Sequence, residues 1–214
     1  GNVGVVAARE GVGKTPLLVQ IALDDLMRDR RVLHISHEHA VDHVRAYYDE
    51  IFHDLAAASR LVSPETVKLD VERHRLIFSL MAQASAAPPS LRGGRSSLAR
   101  ILETVQFARE VAHFEPDVIV IDHFDFEHAS DDAAQTLANL AKERNVELWL
   151  SLHSEGMPKT PGELPAPLAR FKDSFNVVVF LQPERDVVRL RLLKDHDSTD
   201  LTELHLRLDP HTMR

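Results

Sequence analysis

The stretch Ala8-Arg9-Glu10-Gly11-Val12-Gly13-Lys14-Thr15 constrains the fold of this chain more than any other. It follows a short apolar run, Val3 to Ala7, and opens an apolar-periodic segment from Leu17 to Met27. Strand, glycine-rich loop and helix in that order make the context of a phosphate-binding loop. Gly11 and Gly13 let the backbone wrap closely around an anion, and the helix start adds its partial positive charge. Lys14 then reaches the β- and γ-phosphates of a nucleotide, and Thr15 offers its hydroxyl to Mg²⁺. The pattern GxxxxGK[ST] is met except at its first position, where Ala8 replaces Gly. Pro16 falls in the first turn of the helix, where a missing amide costs little. The expected nucleotide contacts are therefore Arg9, Glu10, Gly11, Val12, Gly13, Lys14, Thr15 and Pro16.

The remaining composition narrows the class. A chain of 214 residues, 44% hydrophobic and 27% charged, is long enough for one globular domain with a substantial core, and a single domain over 1–214 is expected. A net charge of −8 works against a general role in gripping nucleic acid or anionic membrane. The absence of cysteine excludes disulfides and thiolate metal sites and fits a cytoplasmic location. No apolar run is long enough to span a bilayer and no signal peptide is visible. The chain opens on Gly1 without a methionine, which reads as a trimmed start.

Along the chain, strands are expected at Val3–Ala7, Val32–Ser36, Leu76–Met81, Asp117–Asp122, Val146–Leu152, Val177–Leu181, Val187–Leu193 and Leu201–Leu208, with a further strand candidate at Val67–Val71. Helices are expected over Leu17–Arg28, from about Val41 to Ala58, from a Ser96 or Ser97 cap to Phe114, and over Asp131–Arg144. In the third of these, Leu98, Ile101, Leu102, Val105 and Val111 are expected to face inward. Ser63-Pro64-Glu65 reads as a turn, Ala84–Arg95 as a loop, and Gly156–Pro167 as a long mobile loop. Strands alternating with helices predict an α/β fold: a three-layer sandwich around a twisted, mostly parallel sheet, ending in antiparallel C-terminal strands. Ligands in such sheets bind outside the carboxyl ends of the strands, so the residues that end the strands matter most.

Two such residues are carboxylates. Asp122 ends an unbroken apolar strand and can hold Mg²⁺ opposite Thr15. Glu38 follows the second strand, where a carboxylate can orient and deprotonate an attacking water. The plainer reading of Glu38 is an acid favoured at a helix start by the macrodipole.

Around these residues the chain resembles a known superfamily. Ile35-Ser36-His37-Glu38-His39-Ala40-Val41-Asp42 is similar to the strand-end segment of RecA, which reads similarly around Glu-His-Ala-x-Asp. DnaB-type helicases and KaiC-type ATPases also carry a glutamate at this place. Ala8–Thr15 resembles the superfamily's Walker A loop, and Val118–Asp122 with His123 its Walker B strand. Phe175–Leu181 followed by Val187–Lys194 resembles the DnaB and KaiC ending, in which a Lys-x-Arg pair reaches the γ-phosphate on a neighbouring subunit. The resemblance implies a RecA-like P-loop ATPase core that binds ATP and Mg²⁺, with Glu38 as catalytic base, Lys14 and Lys194 assisting, and assembly into a homo-oligomeric ring or filament. His196 stands where the pair's arginine would be, and a histidine is no permanent bidentate cation. Ser151 or His153 takes the place of the residue that senses the γ-phosphate.

Three further patterns bear on function. His37, His123 and His153 end strands, a set read as nucleotide-site polar residues in preference to a transition-metal site. His39 and His43 share a helix face at i,i+4, a pair for which the sequence shows no third ligand. Nucleic acid is a partner that loop charge does not support: Phe126–Asp132 is acidic, and Ser154–Arg170 carries chiefly Lys159 and Arg170 as cations. The leading expectation is an ATPase that couples hydrolysis to conformational change in an oligomer. The alternative is a nucleotide-binding regulatory or scaffold module with little turnover, and a small-molecule kinase ranks third.

Overall fold

The structure is a computed structural model that describes residues 1–81, 96–158, 160, 162–185 and 187–198, and the backbone of 202–208. The expected loop at Ala84–Arg95 lies outside the described residues, as does Lys159. The chain divides into two compact units: Gly1–Leu18 with His123–Arg214, and Val19–Asp122.

In the first unit, strand β1 (Val3–Ala8) is buried along its whole length. It pairs in parallel with β5 (Glu147–His153) on one side and β6 (Val177–Glu184) on the other, with Val5 opposite both Leu150 and Val178. A strand covered on all sides reads as an uninterrupted apolar run, which is why Val3–Ala8 carries no alternation. Gly4 has a local reason: a Cβ there would come within 2.5 Å of the Trp149 ring on the neighbouring strand. Asn176 clamps the start of β1 with two bonds, its side-chain oxygen accepting from the Val3 amide and its own amide donating to the Val3 carbonyl, both at 2.8 Å. Strands β7 (Val187–Asp195) and β8 (Thr202–Leu208) continue from β6 antiparallel. The β6–β7 hairpin is longer than expected, because β6 runs on to Glu184 and β7 to Asp195. Helix α5 (Ala133–Arg144) buries Ala133, Ala134, Leu137 and Ala141 and stops at Asn145, which adopts φ 52° and returns its amide to the last turn. The stretch expected to be a mobile loop ends in the start of a one-turn helix, α6 (Ala166–Ala169).

In the second unit, β2 (Val32–Ser36) lies between β3 (Arg75–Ser79) and β4 (Val118–Asp122), all parallel, with Ser36 level with Asp122. Both β2 and β4 are buried throughout. At their starts the Asp117 carboxylate accepts from the Arg31 amide at 2.8 Å. Helix α2 (Val41–Ser59) buries Val44, Tyr48, Ile51 and Phe52 at the expected 3.6-residue spacing. Helix α4 (Ser97–Glu110) is capped by the Ser96 hydroxyl, which accepts from the Ala99 amide at 3.2 Å, and it buries Ile101 and Val105. Val111 does not face inward; it follows the helix and is 61% exposed. The strand candidate at Val67–Val71 is likewise corrected, because Pro64–Arg73 is a helix, α3. Pro64 stands in its first turn, Glu65 lies near its positive end and Arg73 near its negative end, all favourable to a helix. Val67 and Val71 are therefore i,i+4 neighbours, and Val71 is the residue α3 buries.

Parallel strands with intervening helices and an antiparallel C-terminal end make this the α/β fold class expected. Helix α1 (Lys14–Leu26) supplies its first turn to the first unit and the remainder to the second. Among the described residues, no helix is long and apolar enough to cross a membrane.

Candidate functional site

The phosphate loop leaves β1 and curls into α1. Gly11 (φ 72°) and Gly13 (φ 104°) occupy the left-handed region that other residues disfavour, so both glycines shape the loop. The Gly13 carbonyl then accepts from the Leu17 amide at 3.1 Å, which starts the helix. A helix start directly after a glycine-rich loop is the kind of backbone that suits an anion. Lys14 and Thr15 are each only 4% exposed, while Arg9, Glu10 and Gly11 are exposed. The Lys14 ammonium donates to the Arg9 carbonyl at 3.1 Å, so the charge lies within the curl of the loop. The Arg9 guanidinium donates to the Glu155 carbonyl at 2.6 Å, tying the loop to the segment after β5.

The end of β5 divides the two sensor candidates. Ser151 is fully buried, and its hydroxyl and carbonyl accept from the amides of His123 and Phe124, both at 2.9 Å. His153 is exposed, and Glu155 lies 3.0 Å from its Nε2; that contact and the charges of His153 and Arg9 hold the Glu155 carboxyl below its ordinary range.

In the second unit, the turn after β2 is built around Ser36 and Asp122. The Ser36 hydroxyl accepts from the His39 amide at 3.0 Å, and its carbonyl accepts from Leu80 at 2.8 Å. The His37 amide and ring Nδ1 both reach the Asp122 carbonyl, at 3.1 and 3.3 Å. A carbonyl only accepts, so Nδ1 carries a hydrogen and Nε2 takes the hydroxyl hydrogen of Ser97, 2.8 Å away. His37 is therefore a brace between the β4 end and the start of α4. The arrangement leaves Glu38 exposed at the tip of the turn and Asp122 fully buried at its base.

Behind the turn lies a buried polar group that sequence reading missed. His34, in the middle of β2, is fully buried and contacts the Tyr48 hydroxyl through Nδ1 at 3.1 Å. Burial lowers its pKa to about 4, against the opposing pull of Asp122. Burial also pushes the Tyr48 phenol up, and the Arg75 guanidinium lies 4.3 Å from the centre of the Tyr48 ring. An apolar-looking strand with one histidine facing a tyrosine fourteen residues on gives no periodic signal, so no local pattern could have found it.

The C-terminal pair lies in the first unit. Lys194 donates from its ammonium to the Lys172 carbonyl. His196 adopts φ 53°, with its amide bonded to the Asn176 carbonyl at 2.6 Å and its Nδ1 2.8 Å from Asp195. Both residues border a cavity of about 810 Å³ that Met157, Leu164, Lys172 and Asp173 also line.

The loop after β4 is packed down. Phe126 is 2% exposed and meets Phe124, Phe171 and Phe175 with ring centres 4.6–5.8 Å apart. Arg170 donates to the carbonyls of Phe126 at 2.6 Å and Ala129 at 3.0 Å, and its guanidinium lies 4.5 Å from the Phe171 ring centre. One of the cations counted toward the second loop is thus committed to holding the first.

No family model matches the sequence, and no curated protein matches it either. Among solved structures, the chain is similar to one described as an ATPase domain, at a TM-score of 0.61 and 15% identity, over 94% of this chain and 79% of that one. At that identity the likeness bears on architecture. With the loop, the parallel strands and the antiparallel C-terminal end, it gives the chain a RecA-like P-loop fold.

Proposed function

We propose that this chain is a Mg²⁺-dependent ATPase of the RecA, DnaB and KaiC type, with residues 1–214 forming one ATPase domain. The observation that carries the reading is the phosphate loop: two glycines at positive φ and a buried Lys14-Thr15 pair at the start of α1. Lys14 binds the β- and γ-phosphates, and the amides of Arg9 to Thr15 surround them. The Thr15 hydroxyl, in the first unit, and the Asp122 carboxylate, in the second, are buried hard oxygen donors, the donor chemistry that suits Mg²⁺. Mg²⁺ held by such donors would neutralise phosphate charge. Glu38, at the tip of a turn braced by Ser36 and His37, accepts a proton from the attacking water.

We further propose a homo-oligomer in which Lys194 faces a neighbour's nucleotide. The committed role of Arg170 and the packed loop after β4 support weak, salt-sensitive binding of single-stranded DNA by this chain alone. The regulatory reading draws its support from His196, whose ring contacts Asp195 at the place where the DnaB and KaiC ending that the sequence resembles has arginine. Steady-state phosphate release with ATP and Mg²⁺, for wild type and Glu38→Gln, tests the choice. Release that depends on Glu38 supports the ATPase. ATP binding with no release above background at any protein concentration replaces it with the regulatory module.

A further inference from the structure

We propose that Ser97 is a positioning residue for Glu38: its hydroxyl fixes the tautomer of the His37 ring, and that ring holds the turn that presents the Glu38 carboxylate. Every group in this chain of contacts belongs to the second unit. The turn is anchored on both sides of Glu38. Before it, the His37 amide donates to the Asp122 carbonyl at 3.1 Å; after it, the His39 amide donates to the Ser36 hydroxyl at 3.0 Å. Glu38 itself is exposed at the apex. The third tie is the His37 ring. It reaches the same Asp122 carbonyl through Nδ1 at 3.3 Å and the Ser97 hydroxyl through Nε2 at 2.8 Å. Ser97 opens α4, and the neighbouring Ser96 hydroxyl caps that helix separately by accepting from the Ala99 amide.

Which nitrogen of an imidazole carries the hydrogen is set by the bond that the other nitrogen makes. Only Nδ1–H can donate to a carbonyl, and Nε2 must then accept, which the Ser97 hydroxyl allows because it can donate. The two bonds therefore select one another. Without the hydroxyl, the ring can carry its hydrogen on Nε2 instead. Nδ1 and the carbonyl oxygen would then face each other as two acceptors, and the ring would swing away. The backbone bonds on either side of Glu38 would survive, so the result is a loosened turn in a folded chain.

The catalytic consequence rests on the role of Glu38 proposed above. A base on a loosened turn is aligned with its water for a smaller share of the time. Turnover falls, while the phosphate loop that binds the nucleotide is untouched.

The first arm of the test records long-range proton–nitrogen spectra of the histidine rings in the full chain without nucleotide, at about pH 8, where an ordinary histidine is neutral. His37→Gln assigns the signal. His37 should show the Nδ1–H pattern in wild type, in Ser97→Thr and in Ser96→Ala, and lose it in Ser97→Ala. An Nε2–H pattern in wild type, or an unchanged pattern in Ser97→Ala, overturns the proposal. The second arm measures phosphate release with ATP and Mg²⁺. In Ser97→Ala, kcat should fall roughly tenfold with KM for ATP·Mg²⁺ unchanged. Ser97→Thr should keep the wild-type kcat. So should Ser96→Ala, although losing the helix cap lowers its stability to urea. A kcat unchanged in Ser97→Ala, or lowered equally in Ser96→Ala, overturns the positioning role. A wild type without hydrolysis defeats the function proposed above and the positioning role with it, and the ring spectra still decide whether Ser97 sets the His37 tautomer.

Discussion

Two lysines of this chain stand in opposite circumstances. Lys14 is 4% exposed, sits at a helix start and is framed by glycines whose positive φ values other residues adopt only with strain. Lys194 is near the end of an antiparallel strand, bonded to the Lys172 carbonyl, and followed two residues later by a histidine in the left-handed region. Everything Lys14 needs to meet a phosphate comes from its own eight-residue segment. Lys194 instead borders a cavity whose wall mixes Lys172 and His196 with Asp173 and Asp197. Lys14 is built into backbone geometry, whereas Lys194 is left at a surface with ordinary contacts.

The sharpest way to break the comparison is Lys14→Ala. It should abolish ATP binding by calorimetry while leaving the fold intact by circular dichroism, because the lost contribution is electrostatic. Wild-type affinity in that variant would remove the phosphate-loop assignment and the contrast with it. Glu38→Gln comes next. It keeps shape and hydrogen bonding, so ATP·Mg²⁺ affinity should hold, while single-turnover hydrolysis should fall about 10²- to 10⁴-fold, the usual effect of losing a general base.

A third prediction concerns the buried side of the same turn. The pKa of His34 is lowered to about 4 in the folded chain, against an ordinary 6.5 when unfolded. The unfolded state therefore takes the proton first. The stability linked to this group is complete above pH 6.5 and is lost as pH falls toward 4, roughly 2 kcal/mol of it between about pH 7 and pH 5. Urea unfolding at those two pH values should show a smaller loss in His34→Gln than in wild type. Equal losses would mean that His34 is not buried as described.

The smallest expected effect is at the other lysine. His196→Arg should raise hydrolysis by a few-fold and only at protein concentrations where subunits assemble. A rise independent of concentration would place residue 196 in its own chain's site and erase the contrast. No rise at any concentration would leave Lys194 without a partner role.

Legibility in the sequence followed the range of the physics. The glycine-rich loop, the β1, β2 and β4 strands and the places of Glu38 just after β2 and of Asp122 at the end of β4 could all be read, because each is signalled within a few residues of itself. Helix α3 was misread even though its signals are local. Val67 to Val71 alternates like a strand over five residues, while Pro64, Glu65 and Arg73 mark a helix over ten. Period-2 and period-3.6 patterns overlap in so short a window.

What the sequence by itself determined is the chemistry on offer: a phosphate loop, two strand-end carboxylates, and a lysine followed two residues later by histidine. Only the tertiary structure decided how those groups are held. It committed Arg170 to the carbonyls of Phe126 and Ala129, 44 and 41 residues away. It buried His34 against Tyr48, turned His37 into a brace on Asp122, and brought a Glu38 oxygen to within 4.8 Å of a His39 nitrogen. Backbone propensity acts between near neighbours along the chain. Burial and hydrogen bonding depend on which distant segments arrive, and for those no local pattern stands in.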